Sequence, residues 1–241
     1  MARKVDVSGQ VVLITGASRG LGRALAEAFG RGGAKLVLCA RREAPLREVV
    51  EELERGGVEV EWSAADVRDA AGVGRLVSAA ARRFGPISVL VNNASMLGPR
   101  VPLREHDLEE WRQVLDVNLT GTLVPILAVL PGMREAGAGS IVNVSSGVGN
   151  VARARWGAYA VSKWGVEALS RNLALEEEDS GVRVNIVDPG RLRTEMRRAA
   201  YPYEDPTRPA RPSEAVGVFL WLASPESAGV TGERFQALEW R

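Results

Sequence analysis

The sequence predicts an α/β protein in which one doubly wound, parallel seven-stranded sheet carries helices on both faces. Short runs rich in Val, Ile and Leu alternate with longer segments of helical period along the whole chain, which is the pattern of βαβ units. Several of these runs, such as Val11-Val12-Leu13-Ile14, are apolar without alternation, as strands covered on both faces are. The chain has 241 residues, 46% of them hydrophobic and 25% charged. That is enough for one well-buried domain over residues 1–241 and excludes general disorder.

The first strand, residues 11–15, runs into Thr15-Gly16-Ala17-Ser18-Arg19-Gly20-Leu21-Gly22, which opens the first helix, residues 20–31. A glycine-rich turn there lets the backbone approach a phosphate, and the free N–H groups of the helix start bind the anion. The spacing is GxxxGxG rather than GxGxxG, and there is no Walker lysine. The second strand, 35–40, ends Leu38-Cys39-Ala40-Arg41-Arg42. A site for NAD would place Asp or Glu near this point to bond the ribose 2′-hydroxyl. Two arginines follow Ala40 instead, with Arg19 in the glycine loop nearby, and their forked donors suit a dianionic 2′-phosphate. The plainer alternative makes Arg41 and Arg42 solvated charges in an arginine-rich chain.

A helix over 43–55, a strand over 58–64, a helix over 70–84 and a strand over 89–92 continue the alternation. The next helical stretch, 108–135, contains Pro125, which should kink it. After a strand over 140–144, Ser145 and Ser146 stand at the carboxyl edge of the sheet, where ligands bind in open α/β folds; serines also simply open turns. The following helix, 157–178, carries Tyr159-Ala160-Val161-Ser162-Lys163, which places Tyr and Lys four apart on one face. A free tyrosine has a pKa of about 10, and each unit of lowering needs about 1.4 kcal/mol from a neighbouring cation. Lys163 would supply that cation, making Tyr159 a general acid in reduction and a base in oxidation. The pairing stands out because the chain has three tyrosines and its lysines are Lys4, Lys35 and Lys163. A strand over 183–187, a helix over 213–222 and a strand over 234–237 close the order. Residues 201–212 hold Pro202, Pro206, Pro209 and Pro212, which excludes a helix and predicts a surface loop or lid.

Composition excludes other classes. Lys plus Arg is 31 and Asp plus Glu is 30, a net charge of +1, so no electrostatic footprint for nucleic acid or an anionic membrane is present. Cys39 is the one cysteine and His106 the one histidine. No internal disulfide, cysteine-rich metal site or multi-histidine zinc site can form from them. A serine triad would have to use His106, which precedes Asp107 at a helix start and is expected to cap it or be solvated. No signal segment is visible, and the longest apolar run, residues 123–131, is broken by Pro125 and shorter than a membrane span. A soluble, cytoplasmic protein is expected.

Together these residues resemble a short-chain dehydrogenase/reductase, over essentially the whole chain. The family's TGxxxGxG matches Thr15 to Gly22, and its Asp beside the adenine matches Asp66, followed by Val67. Its NNAG matches Asn92-Asn93-Ala94, with Ser95 where glycine is usual. Its active-site Asn matches Asn118. Its Ser matches Ser146, thirteen positions before Tyr159, and YxxxK matches Tyr159 and Lys163. Its PG motif matches Pro189-Gly190, with Thr194 in the expected place.

The resemblance implies a Rossmann-like fold with a cofactor half of about residues 1–145 and a catalytic and substrate half of about 146–241. It implies hydride transfer between NADP(H) and a small carbonyl/alcohol substrate. Ser146 would orient the carbonyl oxygen, and Tyr159 would pass the proton. Lys163 would bond the nicotinamide ribose, and Asn118 would hold a water that relays protons to Lys163. The cofactor would touch Gly16, Ser18, Arg19, Gly20, Leu21, Gly22, Arg41, Arg42, Asp66, Val67, Asn93, Ala94, Tyr159, Lys163, Pro189, Gly190, Leu192 and Thr194. The segment with Arg153, Arg155 and Trp156 would form a wall of the substrate pocket, where two arginines would suit a carboxylate or phosphate. Family members are usually dimers or tetramers, packing through the helical stretches 108–135 and 157–178. A cofactor-binding sensor without turnover is the alternative; the complete Asn118, Ser146, Tyr159 and Lys163 set argues against it.

Overall fold

The computed structural model describes residues 5–240; Lys4 and Arg241 lie outside them. The strands are β1 Val11–Thr15, β2 Lys35–Ala40, β3 Val60–Ala64, β4 Val89–Asn92, β5 Gly139–Val144, β6 Val182–Asp188 and β7 Arg234–Gln236. All seven are parallel, in the order β3-β2-β1-β4-β5-β6-β7. The chain reverses its winding between β1 and β4, so the carboxyl ends of those two strands form the crevice where such sheets bind ligands.

The helices are α1 Gly20–Arg31, α2 Glu43–Arg55, α3 Ala70–Phe84, α4 Leu108–Leu115, α5 Gly121–Ala136, α6 Gly157–Glu176, α7 Glu195–Ala200 and α8 Gly217–Ala223. Successive strand residues serve opposite faces. Val12 and Ile14 of β1 with Leu36 and Leu38 of β2 join Leu25 and Phe29 of α1, Leu46 and Val49 of α2 and Phe219 of α8. Val11 and Leu13 with Val37 join Leu76 of α3, Ile126 and Met133 of α5 and Leu173 of α6. That division is why the strands read as unbroken apolar runs. Each fully buried Leu, Ile or Phe contributes about 1.5–3 kcal/mol.

Several boundaries differ from the sequence reading. The strand expected from 58 starts at Val60, because Gly57 (φ +81°) and the Val58 N–H, bonded to the Leu53 carbonyl, complete the turn after α2. The stretch expected as one helix over 108–135 is helical from Leu108 to Ala136, with a π-helical turn, Asp116–Thr120, between α4 and α5, and α5 contains Pro125. Asp107 caps α4 by accepting the Glu109 and Glu110 N–H groups. His106 therefore neither caps nor faces solvent: its ring meets Trp111 edge-on at 5.4 Å and Gly157, and both its nitrogens are buried without a partner. The run Leu108–Ala136 has the length and hydropathy of a membrane span, but Ile126, Val129 and Met133 face the sheet and α3 in the core. The expected helix over 213–222 is a 3₁₀ turn, Pro212–Ala215, followed by α8. Short α7, absent from the sequence reading, precedes the proline-rich loop, which is non-helical as expected.

Candidate active site

The strand ends, the glycine loop and the segment carrying α7 enclose one cleft of about 840 Å³, ample for a dinucleotide and a small substrate. At one end Gly16, Ser18, Arg19, Gly20 and Leu21 wrap the start of α1. Gly16 and Gly20 hold φ of +67° and +55°, which side chains disfavour. A Cβ at Gly22 would lie 2.3 Å from the Gly16 carbonyl oxygen, so the loop can fold onto the helix only with glycine there. Arg19 takes the N-cap position without a side-chain cap bond, which leaves the first N–H groups of α1 for an anion. Thr15 Oγ1 accepts the Asn93 and Ala94 N–H groups, while Asn93 Nδ2 donates to the Thr15 and Gly16 carbonyls. The ends of β1 and β4 are thereby locked together under the loop. These features fit a bound dinucleotide.

Beside β2, Ala40, Arg41 and Arg42 line the cleft, and Asp66 and Val67 form its next wall. Asp66 is held below the usual carboxylate range, first by its side-chain bond to Arg68. Arg19 pairs with Glu195 of α7 across the mouth; both are solvent-exposed, and such pairs contribute little. Pro189, Gly190, Leu192 and Thr194 complete this side. Thr194 caps α7 by accepting the Arg197 N–H.

At the other end Ser95, Ser146, Tyr159 and Lys163 face the cleft together. Tyr159 and Lys163 lie on one face of α6, with Lys163 Nζ 5.7 Å from the phenol ring centre and donating to the Val144 carbonyl at 2.8 Å. The expected lowering of the tyrosine by its lysine is not what the chain alone produces. Burial pushes Tyr159 up to about 12; the neighbouring Ser146 and Ser95 hydroxyls oppose the rise and the Asp188 carboxylate adds to it. Burial pushes Lys163 down to about 8. Desolvation of the buried phenol is the largest cause, and Lys163 is itself buried and carbonyl-bound.

Asn118 sits in the π-helical turn between α4 and α5. Its Nδ2 donates to the Met96 carbonyl and to Ser162 Oγ, both at 2.9 Å, and its Oδ1 accepts the Met96 N–H at 2.7 Å. Both amide atoms are thus engaged within the protein, and the side chain fixes residues 95 and 96 against α6.

The expected arginines do not reach the pocket. Arg153 and Arg155 are exposed and outside the cleft lining, with Arg155 in a left-handed turn at φ +65°. Of that segment only Trp156 lines the cleft. Met96, Leu97, Met196, Ala199 and Ala200 supply the rest of the wall near Tyr159. Arg197 lines it too, but Nε and Nη2 each bond Glu204 at 2.6 Å. Arg100 lies 4.4 Å over the Trp156 ring and 4.7 Å over Tyr201, outside the lining.

Sequence reasoning also missed a buried support beneath Ser146. Glu167 of α6, 1% exposed, accepts from Ser145 Oγ at 2.8 Å and Arg234 Nε at 2.9 Å. Arg234 reaches the Ser146 carbonyl at 3.2 Å and Asp188 at 3.1 Å. These residues lie far apart in sequence, and no local motif joins them.

Residues 10–205 match the short chain dehydrogenase family. The chain is 35% identical over 234 residues, 96% of its length, to an uncharacterized oxidoreductase of Escherichia coli, YciK, and covers 92% of that protein. A short-chain dehydrogenase from Shigella flexneri, solved with NADP, superposes with a TM-score of 0.92 at 34% identity, over 97% of this chain and 99% of that one. Another from Escherichia coli, solved with NADPH, gives 0.90 at 36% identity, over 95% and 97%.

Proposed function

Because the chain belongs to the short-chain dehydrogenase/reductase family, we propose that it is an NADP(H)-dependent oxidoreductase interconverting a carbonyl and its alcohol. One observation carries the reading: Ser146, Tyr159 and Lys163 face a single cleft whose far end is the glycine loop. The nicotinamide supplies or accepts hydride when bound. Ser146 holds the carbonyl oxygen, Tyr159 gives it a proton, and Lys163 bonds the ribose and holds positive charge beside the phenol. The buried Glu167–Arg234 support keeps Ser146 aimed at that oxygen.

The arginines support NADP over NAD. Arg19, Arg41 and Arg42 line the cleft where an acid would bind a 2′-hydroxyl, and solved relatives carry NADP and NADPH. Arg41→Ala, and separately Ala40→Asp, is expected to reduce the NADPH preference by about 10–100-fold, since a bond to a charged group contributes roughly 1.5–3 kcal/mol. Steady-state kinetics with NADPH and NADH check this. Equal efficiency with both cofactors in the unaltered protein would contradict it.

The pocket walls favour an uncharged, apolar carbonyl. Trp156, Met96, Leu97 and Met196 surround the Tyr159 end, and the arginine of that wall is neutralised by Glu204. A neutral ketone is therefore expected to be used at least about tenfold more efficiently than its matched keto acid, the carboxylate having to enter largely apolar surroundings. Arg153→Ala and Arg155→Ala should leave both rates unchanged. A keto acid that is preferred, and that loses its advantage in either variant, would return the anion site to those arginines.

A further inference from the structure

The residue that departs from the family pattern, Ser95, stands inside the site. Its side chain shares the cleft with Ser146, Tyr159 and Lys163, and its hydroxyl donates to Asn118 Oδ1 at 3.2 Å. Which Asn118 atom is the oxygen follows from its other bonds: the opposite end donates to the Met96 carbonyl and to Ser162 Oγ, as only an amide nitrogen does. Asn118 Oδ1 also accepts the Met96 N–H, so it keeps a partner when the Ser95 hydroxyl turns away. A side chain at 95 carries no backbone strain, because among the described residues Arg155 is the only non-glycine at positive φ.

We propose that Ser95 is a positioning residue for the proton transfer: its hydroxyl donates to Asn118 while Tyr159 is a phenol, and turns to donate to the Tyr159 oxygen once that proton has left. The proposal rests on Tyr159 being the proton donor. In reduction the Tyr159 O–H bond breaks, an O–H bond forms on the substrate, and solvent returns a proton to the phenolate. Ser95 keeps its own proton throughout. The turn gives the new anion a second donor beside Ser146, and a donor to the charged form favours that form.

The other charges near Tyr159 have fixed arrangements. Lys163 on the same helix is bonded to the Val144 carbonyl. Asp188 at the end of β6 is paired with Arg234 of β7. Glu195 and Arg197 of α7 are paired with Arg19 and Glu204, and His106 packs against Gly157 at the start of α6. Ser95 differs from these in having an O–H that can change its acceptor without leaving a buried group empty.

The test is a pH titration of the NADP⁺ complex with tyrosine labelled with ¹³C at Cζ, the Tyr159 signal being assigned by its loss in Tyr159→Phe. Ser95→Ala and Ser95→Gly are expected to raise the Tyr159 midpoint by about one pH unit, one hydrogen bond to a charged oxygen being about tenfold in equilibrium constant. Ser95→Thr keeps the hydroxyl and should stay within about 0.3 unit of the unaltered protein. The acid limb of alcohol oxidation should move in parallel, whereas a purely structural serine would lower the rate without moving the limb. Equal midpoints in all four proteins, or no Tyr159 midpoint in any of them, would overturn the proposal. Failure of the underlying reading looks different: no carbonyl is reduced, yet the Ser95→Ala midpoint still moves.

Discussion

Replacing Tyr159 by Phe is expected to lower turnover by about 10²–10⁴-fold or more while NADPH binding stays nearly intact. The phenyl ring preserves the contact with Trp156, whose ring centre lies 5.7 Å away, so the packing around the pocket is kept. What disappears is the phenolic proton at the head of α6. Burial pushes that phenol up to about 12 and Lys163 down to about 8. The sign follows directly. At neutral pH Tyr159 is protonated and ready to give its proton in reduction, whereas alcohol oxidation needs the phenolate and should speed up as pH rises. Stopped turnover with unchanged NADPH fluorescence titration is the expected pair of results. Activity within a few-fold of the unaltered protein would remove Tyr159 from the reaction.

Arg234→Ala is expected to destabilise the fold by about 3–5 kcal/mol, because it removes the buried cation that two buried carboxylates share. Arg234 stands between Glu167, 1% exposed, and Asp188, 6% exposed. Its removal leaves Asp188 without a cation and Glu167 with only the exposed Arg171, and it frees the Ser146 carbonyl. For a chain of this size each kcal/mol shifts the melting temperature by roughly 2–4 °C, so the total loss should be on the order of 10 °C. Arg171→Ala provides the contrast. Arg171 pairs with the same glutamate, but its side chain is 53% exposed, and its loss should cost no more than about 1 kcal/mol. Thermal and urea unfolding of both variants check this; equal losses would mean that the buried arginine matters to the fold no more than the exposed one.

The parts of this molecule legible in its sequence are those governed by local chemistry. The apolar period set the strands because each strand residue has a buried face to serve, and the glycines at 16, 20 and 22 announced a turn that only glycine can make. Tyr159 and Lys163 are four apart, so one helix suffices to align them. The misses come from contacts that cross the chain. The helical period continues through 116–120, so nothing local marks the π-helical turn there, which serves Asn118 and its bonds to Met96 and Ser162. Arg153 and Arg155 look aimed at the pocket by position alone, but the left-handed turn at Arg155 leaves both in solvent. Glu167 and Arg234 meet across a long stretch of sequence with no shared motif. Ser95 was visible as an exception to the family pattern, but its link to Asn118 needed the fold.

The most direct test of the reaction uses NADPH carrying deuterium at both positions of the nicotinamide C4, incubated with a panel of neutral ketones and aldehydes. The products are read by mass spectrometry after exchange of hydroxyl protons with water. The expected product is an alcohol with one deuterium retained on the carbinol carbon, formed by the unaltered protein and lost in Tyr159→Phe. NADPH that binds but leaves no deuterium on any carbonyl carbon would contradict the account and favour a protein that senses the cofactor without turning it over.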